Sequence, residues 1–268
     1  TVVTDMGASV ATTFIDSETL QFTIPGAAAN GRYQLLVQNS AGVTSRTGIT
    51  FHKLGSGYSP PIVWVDASAP AGGTGSAASP YNPIQAGIDA AADGSIVVVR
   101  PGTYFGEILL DTHVKLQGFG PGAPDGFGTG GSVIDGRFNT TAFTITALAP
   151  GTFGSTFNVQ VDGFRIINAR DEQEVGGGLH IAANGEYVEI SNNVIQSNGG
   201  NLGGGIVIGE PYEGDMNNDN VRIHHNRVLN NGGISLAGGI GIYNGADGYE
   251  IDHNDICGNY SAEYGGSI

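Results

Sequence analysis

The chain of 268 residues carries 46 glycines, only 13% charged side chains, and 25 acidic against 10 basic groups, for a formal charge of −15. That charge repels phosphate backbones and anionic bilayer surfaces, so nucleic acid is excluded as a partner, and no apolar run reaches the ~18 residues of a membrane span. Abundant glycine with scarce charge points to turn-dense all-β structure.

In chain order, Thr1 to Leu54 alternates apolar and polar residues in ATTFI, TLQFTIP, GRYQLLVQN and GITFHKL, with turns at Pro25 to Gly31 and Asn39 to Gly42. A period of two predicts short antiparallel strands. The segment ETLQFTIPGAAANGRYQLLVQNSAGVTS resembles the later half of an immunoglobulin-like IPT/TIG domain, with a strand ending in Ile-Pro, a turn, Gly-x-Tyr and a Val-x-Asn strand. The strands that open such a domain are absent, which would leave a sheet edge exposed. The expectation is therefore a partial sandwich over residues 1–54 in a chain trimmed from a longer polypeptide.

Gly55 to Pro61, GSGYSPP, has linker composition. IVWVD predicts a strand, Ala67 to Ser79 a small-residue loop, and Asn82-Pro83 an N-cap and first-turn proline for a helix with Ile84, Ile88 and Ala91 on one face. Asp93-Gly94 ends it, and SIVVVRPGTYFGEILL and HVKLQGFG follow as strands. The order of strand, helix, Asp-Gly, apolar strand, Pro-Gly-Thr-Tyr, strand and Leu-x-Gly is similar to the opening turn of secreted pectin-lyase-like β-helices. That similarity implies that the helix plugs the end of an apolar bore. Pro121 to Gly131 reads as a long projecting loop, and VIDG and AFTITAL continue the strands.

From Val159 onward the chain repeats. VQVDGFRIINA, VEISNNVIQSN, VRIHHNRVLNN and YEIDHNDICGN start at Val159, Val188, Val221 and Tyr249, a period of about 30 residues. Val161, Ile190, Ile223 and Ile251 share one column, and Ile166, Ile195, Val228 and Ile256 another; polar Gln160, Glu189, Arg222 and Glu250 alternate to the opposite face. Phe164, Asn193, Asn226 and Asn254 form a third column, and Ala169, Asn198, Asn231 and Asn259 a fourth. Asparagine tolerates left-handed turns, and stacked carboxamides can hydrogen-bond along the stack. Each copy then runs through a glycine-rich turn into a short strand, as in GGGLHI, GGGIVI, GGIGIY and GGSI. A unit of three short strands cannot bury its own apolar face and must stack on its neighbours. The repeat resembles the right-handed parallel β-helix of the pectate-lyase-like superfamily, and the resemblance covers Ile62 to Ile268. The expected fold is all-β: a right-handed single-stranded parallel β-helix over 62–268 with an N-terminal capping helix, preceded by a linker at 55–61 and the partial sandwich. Roughly six coils from Ile96, at about 4.8 Å each, make a rod of about 29 Å.

Three groups of residues could carry chemistry. Asp215, Asn217 and Asp219 in the insertion GEPYEGDMNNDN have the alternate-residue spacing that gathers side-chain oxygens around a hard cation such as Ca²⁺, with Glu210 and Glu213 close by. An ion-free acidic turn accounts for the same residues, and Asn220 and Asn226 depart from the EF-hand pattern. His224 shares a column with Asp252, and His225 with His253, which suits acid–base work, a transition-metal site or a hydrogen-bonded turn ladder. In the outward ladder Arg222 is expected to bridge Glu189 and Glu250. Cys257, the single cysteine, excludes an internal disulfide and, beside Ile256, is expected to be a buried small hydrophobe.

The resemblance also implies where a lyase would keep calcium-binding carboxylates and a base, and the matching outward positions here are His180, Val207 and Gly241, without acid or arginine. Asp162 and Asp252 share a column three coils apart, too far for a glycosidase pair. The expected function is a non-catalytic scaffold or adhesion module of a secreted or cell-surface protein, with polysaccharide or surface glycan as candidate ligand and Ca²⁺ as candidate ion. Two alternatives stand beside it: a polysaccharide lyase or glycoside hydrolase (or accessory module of one), and a subunit of an extracellular assembly built with further domains or copies of the chain.

Overall fold

The computed structural model describes all residues except 7–9, 17–18, 46, 123–129, 139 and 172–174. The projecting loop expected at Pro121 to Gly131 falls largely outside the described residues.

The N-terminal segment forms β1 (Val2–Thr4), β2 (Thr12–Phe14), β3 (Leu20–Phe22), β4 (Gly31–Val37) and β5 (Ile49–Lys53). They make two small antiparallel sheets, β1-β4-β5 and β2-β3. β1 is too short to show a period. Across β4 and β5, Arg32 pairs with His52 and Gln34 with Thr50 on one face, while Tyr33 pairs with Phe51 and Leu35 with Ile49 on the other. The apolar face meets the hairpin, with Phe22 edge-on to Phe51 at 6.3 Å and Val2, Val10 and Leu35 buried. The polar face is left for the rest of the molecule.

β6 (Ile62–Val65) begins a parallel β-solenoid and is followed by α1 (Ile84–Asp89). Six coils follow. The first comprises β7 (Ile96–Val99), β8 (Gly102–Phe105) and β9 (Ile108–Leu110), and the second β10 (Lys115–Gly118), β11 (Ser132–Asp135) and β12 (Phe143–Thr146). The third has β13 (Gln160–Asp162), β14 (Phe164–Ile167), β15 (Arg170–Asp171) and β16 (Leu179–Ala183). The fourth has β17 (Glu189–Ser191), β18 (Val194–Gln196), β19 (Gly199–Gly200) and β20 (Ile206–Ile208), and the fifth β21 (Arg222–His224), β22 (Arg227–Leu229), β23 (Gly232–Gly233) and β24 (Ile240–Ile242). The sixth has β25 (Glu250–Asp252), β26 (Asp255–Cys257) and β27 (Tyr260–Ser261). α1 packs on β6, β7 and β9 and sends Ile84 and Ile88 into the main core. Asn82 does not cap it; its carboxamide donates to the carbonyls of Ala67 and Ala69 instead.

The coils stack into three long parallel walls, β25-β21-β17-β13-β10-β7-β6, β26-β22-β18-β14-β11-β8 and β24-β20-β16-β12-β9. On the first wall Val161, Ile190, Ile223 and Ile251 lie directly over one another, as the repeat predicts. Ile166, Ile195, Val228 and Ile256 do the same on the second. These columns, with Leu179, Ile206 and Ile240 of the third, fill one continuous core. A fourth wall was not expected: the two-residue strands β15, β19, β23 and β27 form a narrow ladder of their own.

Two asparagine ladders staple the corners. Asn226 accepts from the backbone and side-chain amides of Asn193 at 3.0 and 3.1 Å and passes its own amide to Asn254; Asn198, Asn231 and Asn259 repeat the pattern. These ladder residues are not the left-handed ones. The positive φ falls one position earlier, on Gly163, Asn192, His225 and His253 at one corner and on Asn168, Ser197, Asn230 and Gly258 at the next. The turn thus assigns the left-handed conformation to one residue and the buried amide to its successor. Among the described residues no helix is long and apolar enough to cross a membrane, which leaves β-barrels unaddressed.

Candidate functional site

The polar face of the N-terminal sheet docks on the outward face of the first wall. Asp162, fully buried, accepts from the Thr50 N–H (3.0 Å), the Thr50 hydroxyl (2.6 Å), Gln117 (2.7 Å), Ser191 (2.7 Å) and Asn192 (2.6 Å). Gln34 exchanges amide hydrogen bonds with Asn192, and the Gly48 N–H donates to the same carboxamide. Glu189 accepts from Arg32 (2.9 Å), Asn158 (2.8 Å), Gln160 (3.0 Å) and His224 (3.1 Å). Burial pushes its carboxyl up, but the His224 hydrogen bond and the Arg32 charge outweigh that and hold it well below the carboxylate range. Beside it Lys115 is buried against Asn158 and the Phe157 ring, and burial lowers its pKa to about 7.

Toward the last coils the sheet and the wall diverge into a cavity of about 470 Å³, lined among others by Asp5, Arg32, Glu189, Arg222, His224 and His225. Here the columns bring together residues singled out from the sequence. His224 stands over Asp252 in register, the Nδ1 atoms of His224 and His225 are 2.9 Å apart, and the His225 ring stacks on His253 at 4.9 Å. His224, His225 and Asp252 place ligand atoms within 4.8 Å of one another. Burial, then the charges of His224 and His253, push the His225 pKa down to about 4, so its imidazole is neutral at pH 7. Arg222 does not bridge the two glutamates. It reaches down to Glu250 (3.2 Å) and Asp252 (2.7 Å), because Arg32 and His224 already occupy Glu189. Burial pushes Asp252 up, and the hydrogen bond and charge of Arg222 outweigh it, leaving the carboxyl below its usual range.

The acidic insertion joins β20 to β21. Asp215 accepts the Asn217 N–H (3.0 Å), Asp219 accepts the Asp247 N–H (2.9 Å), and Asn217, at φ 50°, donates to Asn184 (3.4 Å). The side chains therefore pin successive coils as a turn ladder. Among the described residues, the three-ligand grouping forms at His224, His225 and Asp252 rather than among these carboxylates.

Two outward surfaces read differently from the sequence. On the third wall, Val207 is buried under Val175, Leu202, Leu236 and Tyr243, and Gly241 leaves room for the Tyr243 ring, whose Cε2 a Cβ would meet at 3.0 Å. His180 is buried there too, and burial lowers its pKa to about 4. On the fourth wall Arg170, Gly199, Gly232 and Tyr260 form one outward column, the floor of a groove of about 410 Å³ that includes the exposed rings of Phe138 and Tyr260. A Cβ at the inward Gly200 would come 2.0 Å from the Gly203 carbonyl, so glycine is obligatory there. At Gly199 and Gly232 the nearest contacts would be 3.6 and 3.5 Å, so the backbone makes no such demand. Cys257 is exposed rather than buried, since strand alternation turns it outward once Ile256 faces the core.

No family model and no curated protein matches the chain. Among solved structures, it is similar to the crystal structure of pectate lyase Pel9A, with 16% identity and a TM-score of 0.36, covering 71% of this chain and 56% of that one.

Proposed function

We propose that this protein is a non-catalytic scaffold or adhesion module of a secreted or cell-surface protein that binds glycan on its fourth wall. The observation that carries this reading is how the outward faces are used. The N-terminal sheet covers much of the first wall and an apolar cluster covers the third, so among the described residues neither offers a long carboxylate-lined channel for polysaccharide cleavage. Among the described residues, the groove over Gly199 and Gly232 stays open at positions where strands ordinarily carry larger residues, and Tyr260 offers an aromatic platform to the apolar face of a sugar ring. The same reading takes residues 1–54 as part of an IPT/TIG-like domain, the solenoid as right-handed, α1 as its plug, and Ca²⁺ at Asp215, Asn217 and Asp219 as a staple of the insertion.

The test is affinity electrophoresis and calorimetry against neutral and acidic polysaccharides, with ultraviolet monitoring for unsaturated products. Binding without turnover is expected, weakened at least tenfold by Tyr260→Ala and by Gly232→Val. Release of unsaturated sugars, or binding indifferent to both substitutions, would refute the reading. For calcium, chelator is expected to lower the melting temperature of the chain and to leave that of Asp215→Asn unmoved.

A further inference from the structure

We propose that His224, His225 and Asp252 form a binding site for a divalent transition-metal ion of the Zn²⁺ class, facing the cavity between the N-terminal sheet and the first wall.

The ligand set is two imidazoles and a carboxylate, the borderline nitrogen and oxygen donors that suit Zn²⁺, Co²⁺ or Ni²⁺. Its geometry is already converged. The two Nδ1 atoms lie 2.9 Å apart. With metal–nitrogen bonds of about 2.05 Å that separation subtends roughly 90° at an ion, and opening it by about 0.4 Å reaches the tetrahedral angle. All three ligand atoms fall within 4.8 Å of one another, so an ion between them needs only small side-chain adjustment.

The surroundings supply what such a site requires. Nε2 of His224 bonds Glu189 at 3.1 Å, a carboxylate–histidine pairing that fixes the ring and places the Nδ1 lone pair toward His225. Glu189 is itself held by Arg32, Asn158 and Gln160, so the ring has little freedom to turn away. Asp252 gives Oδ2 to Arg222, while its buried Oδ1 has, among the described residues, only the long contact to His253 Nδ1 at 3.4 Å. An ion would replace one imidazole–imidazole hydrogen bond and one long contact to Oδ1 with three coordinate bonds. His224 and His225 line the cavity, which provides the way in and leaves the remaining coordination positions open to water or a small ligand.

Histidine at position 225 is also not dictated by the turn. Its register partner one coil earlier, Asn192, adopts the same left-handed conformation, with φ of 56° against 54°. His225→Asn therefore removes a ligand while keeping a residue the corner accepts.

The experiment titrates the untagged full chain with Zn²⁺ by calorimetry and with Co²⁺ by visible absorption. One equivalent is expected to bind, with Co²⁺ bands of a nitrogen- and oxygen-ligated ion and a Zn²⁺-dependent rise in melting temperature. His225→Asn and Asp252→Asn should each weaken binding at least tenfold and abolish the thermal shift. His113→Gln, away from the cavity, should leave both unchanged. Absence of binding up to millimolar Zn²⁺, equal binding by chain and variants, or cobalt bands showing sulfur ligation from Cys257 would overturn the proposal.

Discussion

Replacing Asp162 by alanine removes a carboxylate with no solvent exposure and strands five close donors that converge on it from the second and fourth coils and the N-terminal sheet. Two are hydroxyls that can rotate to other acceptors. The Thr50 N–H and the Gln117 and Asn192 amides lose charge-assisted bonds of about 1.5–3 kcal/mol each, softened at the two amides by the second bonds they keep to the Gly118 carbonyl and to Gln34. The expected cost is about 4 kcal/mol, concentrated where the sheet meets the wall. Asparagine at the same position keeps the shape and one carbonyl oxygen, and should cost about half as much. Hydrogen exchange reads this locally. The Thr50 amide points at Asp162 rather than along a ladder, so its exchange should accelerate about 10³-fold in Asp162→Ala, at 1.4 kcal/mol per decade, while the Ile223 amide in the solenoid changes little. Acceleration below tenfold at Thr50 would show that the network does not hold the sheet.

Three further outcomes follow from the same physics. Asn226→Ala should cost about 2–4 kcal/mol in urea unfolding, because its amide and carbonyl serve Ile190, Asn193 and Asn254 in the buried corner. His52 and His180, both lowered by burial from 6.5 to about 4, must be neutral in the folded chain. The unfolded chain takes up their protons first, so as pH drops from 6.5 to 4 the unfolding free energy should fall by up to about 1.4 kcal/mol per pH unit per histidine and the melting temperature with it; a flat profile there would contradict this. Lys115, lowered from 10.5 to about 7, is held charged at a cost below pH 7, and that cost fades as pH rises toward the unfolded value. Lys115→Met should therefore raise the melting temperature at pH 6, with the gain shrinking by pH 10.

The solenoid was legible because its information is periodic. Once Val188 to Asn198 is seen again at Val221, the column containing Ile190 and Ile223 follows from the rise of one coil per repeat, and the stacked amides of Asn193 and Asn226 come with it. The juxtaposition of His224 with Asp252 was legible for the same reason. Alternation turns Cys257 outward once Ile256 faces the core, so its exposure is legible in the strand period and its small apolar character is not the deciding signal. The narrow fourth wall carries no apolar period in the sequence, because its two-residue strands read Arg-Asp, Gly-Gly, Gly-Gly and Tyr-Ser.

What the tertiary structure alone decided is everything that joins non-repeating parts. Arg32 meets Glu189 across 157 residues, and Thr50 meets Asp162 across 112. No period links these positions, and their pairing depends on two finished surfaces matching in shape and polarity. That docking also took Glu189 from Arg222, redirected Arg222 to Asp252, and shaped the cavity onto which His224 and His225 open. Stacking is a property of a sequence compared with itself, so one chain suffices to read it. Docking is a property of two different surfaces, and each must be folded before the other has anything to recognise.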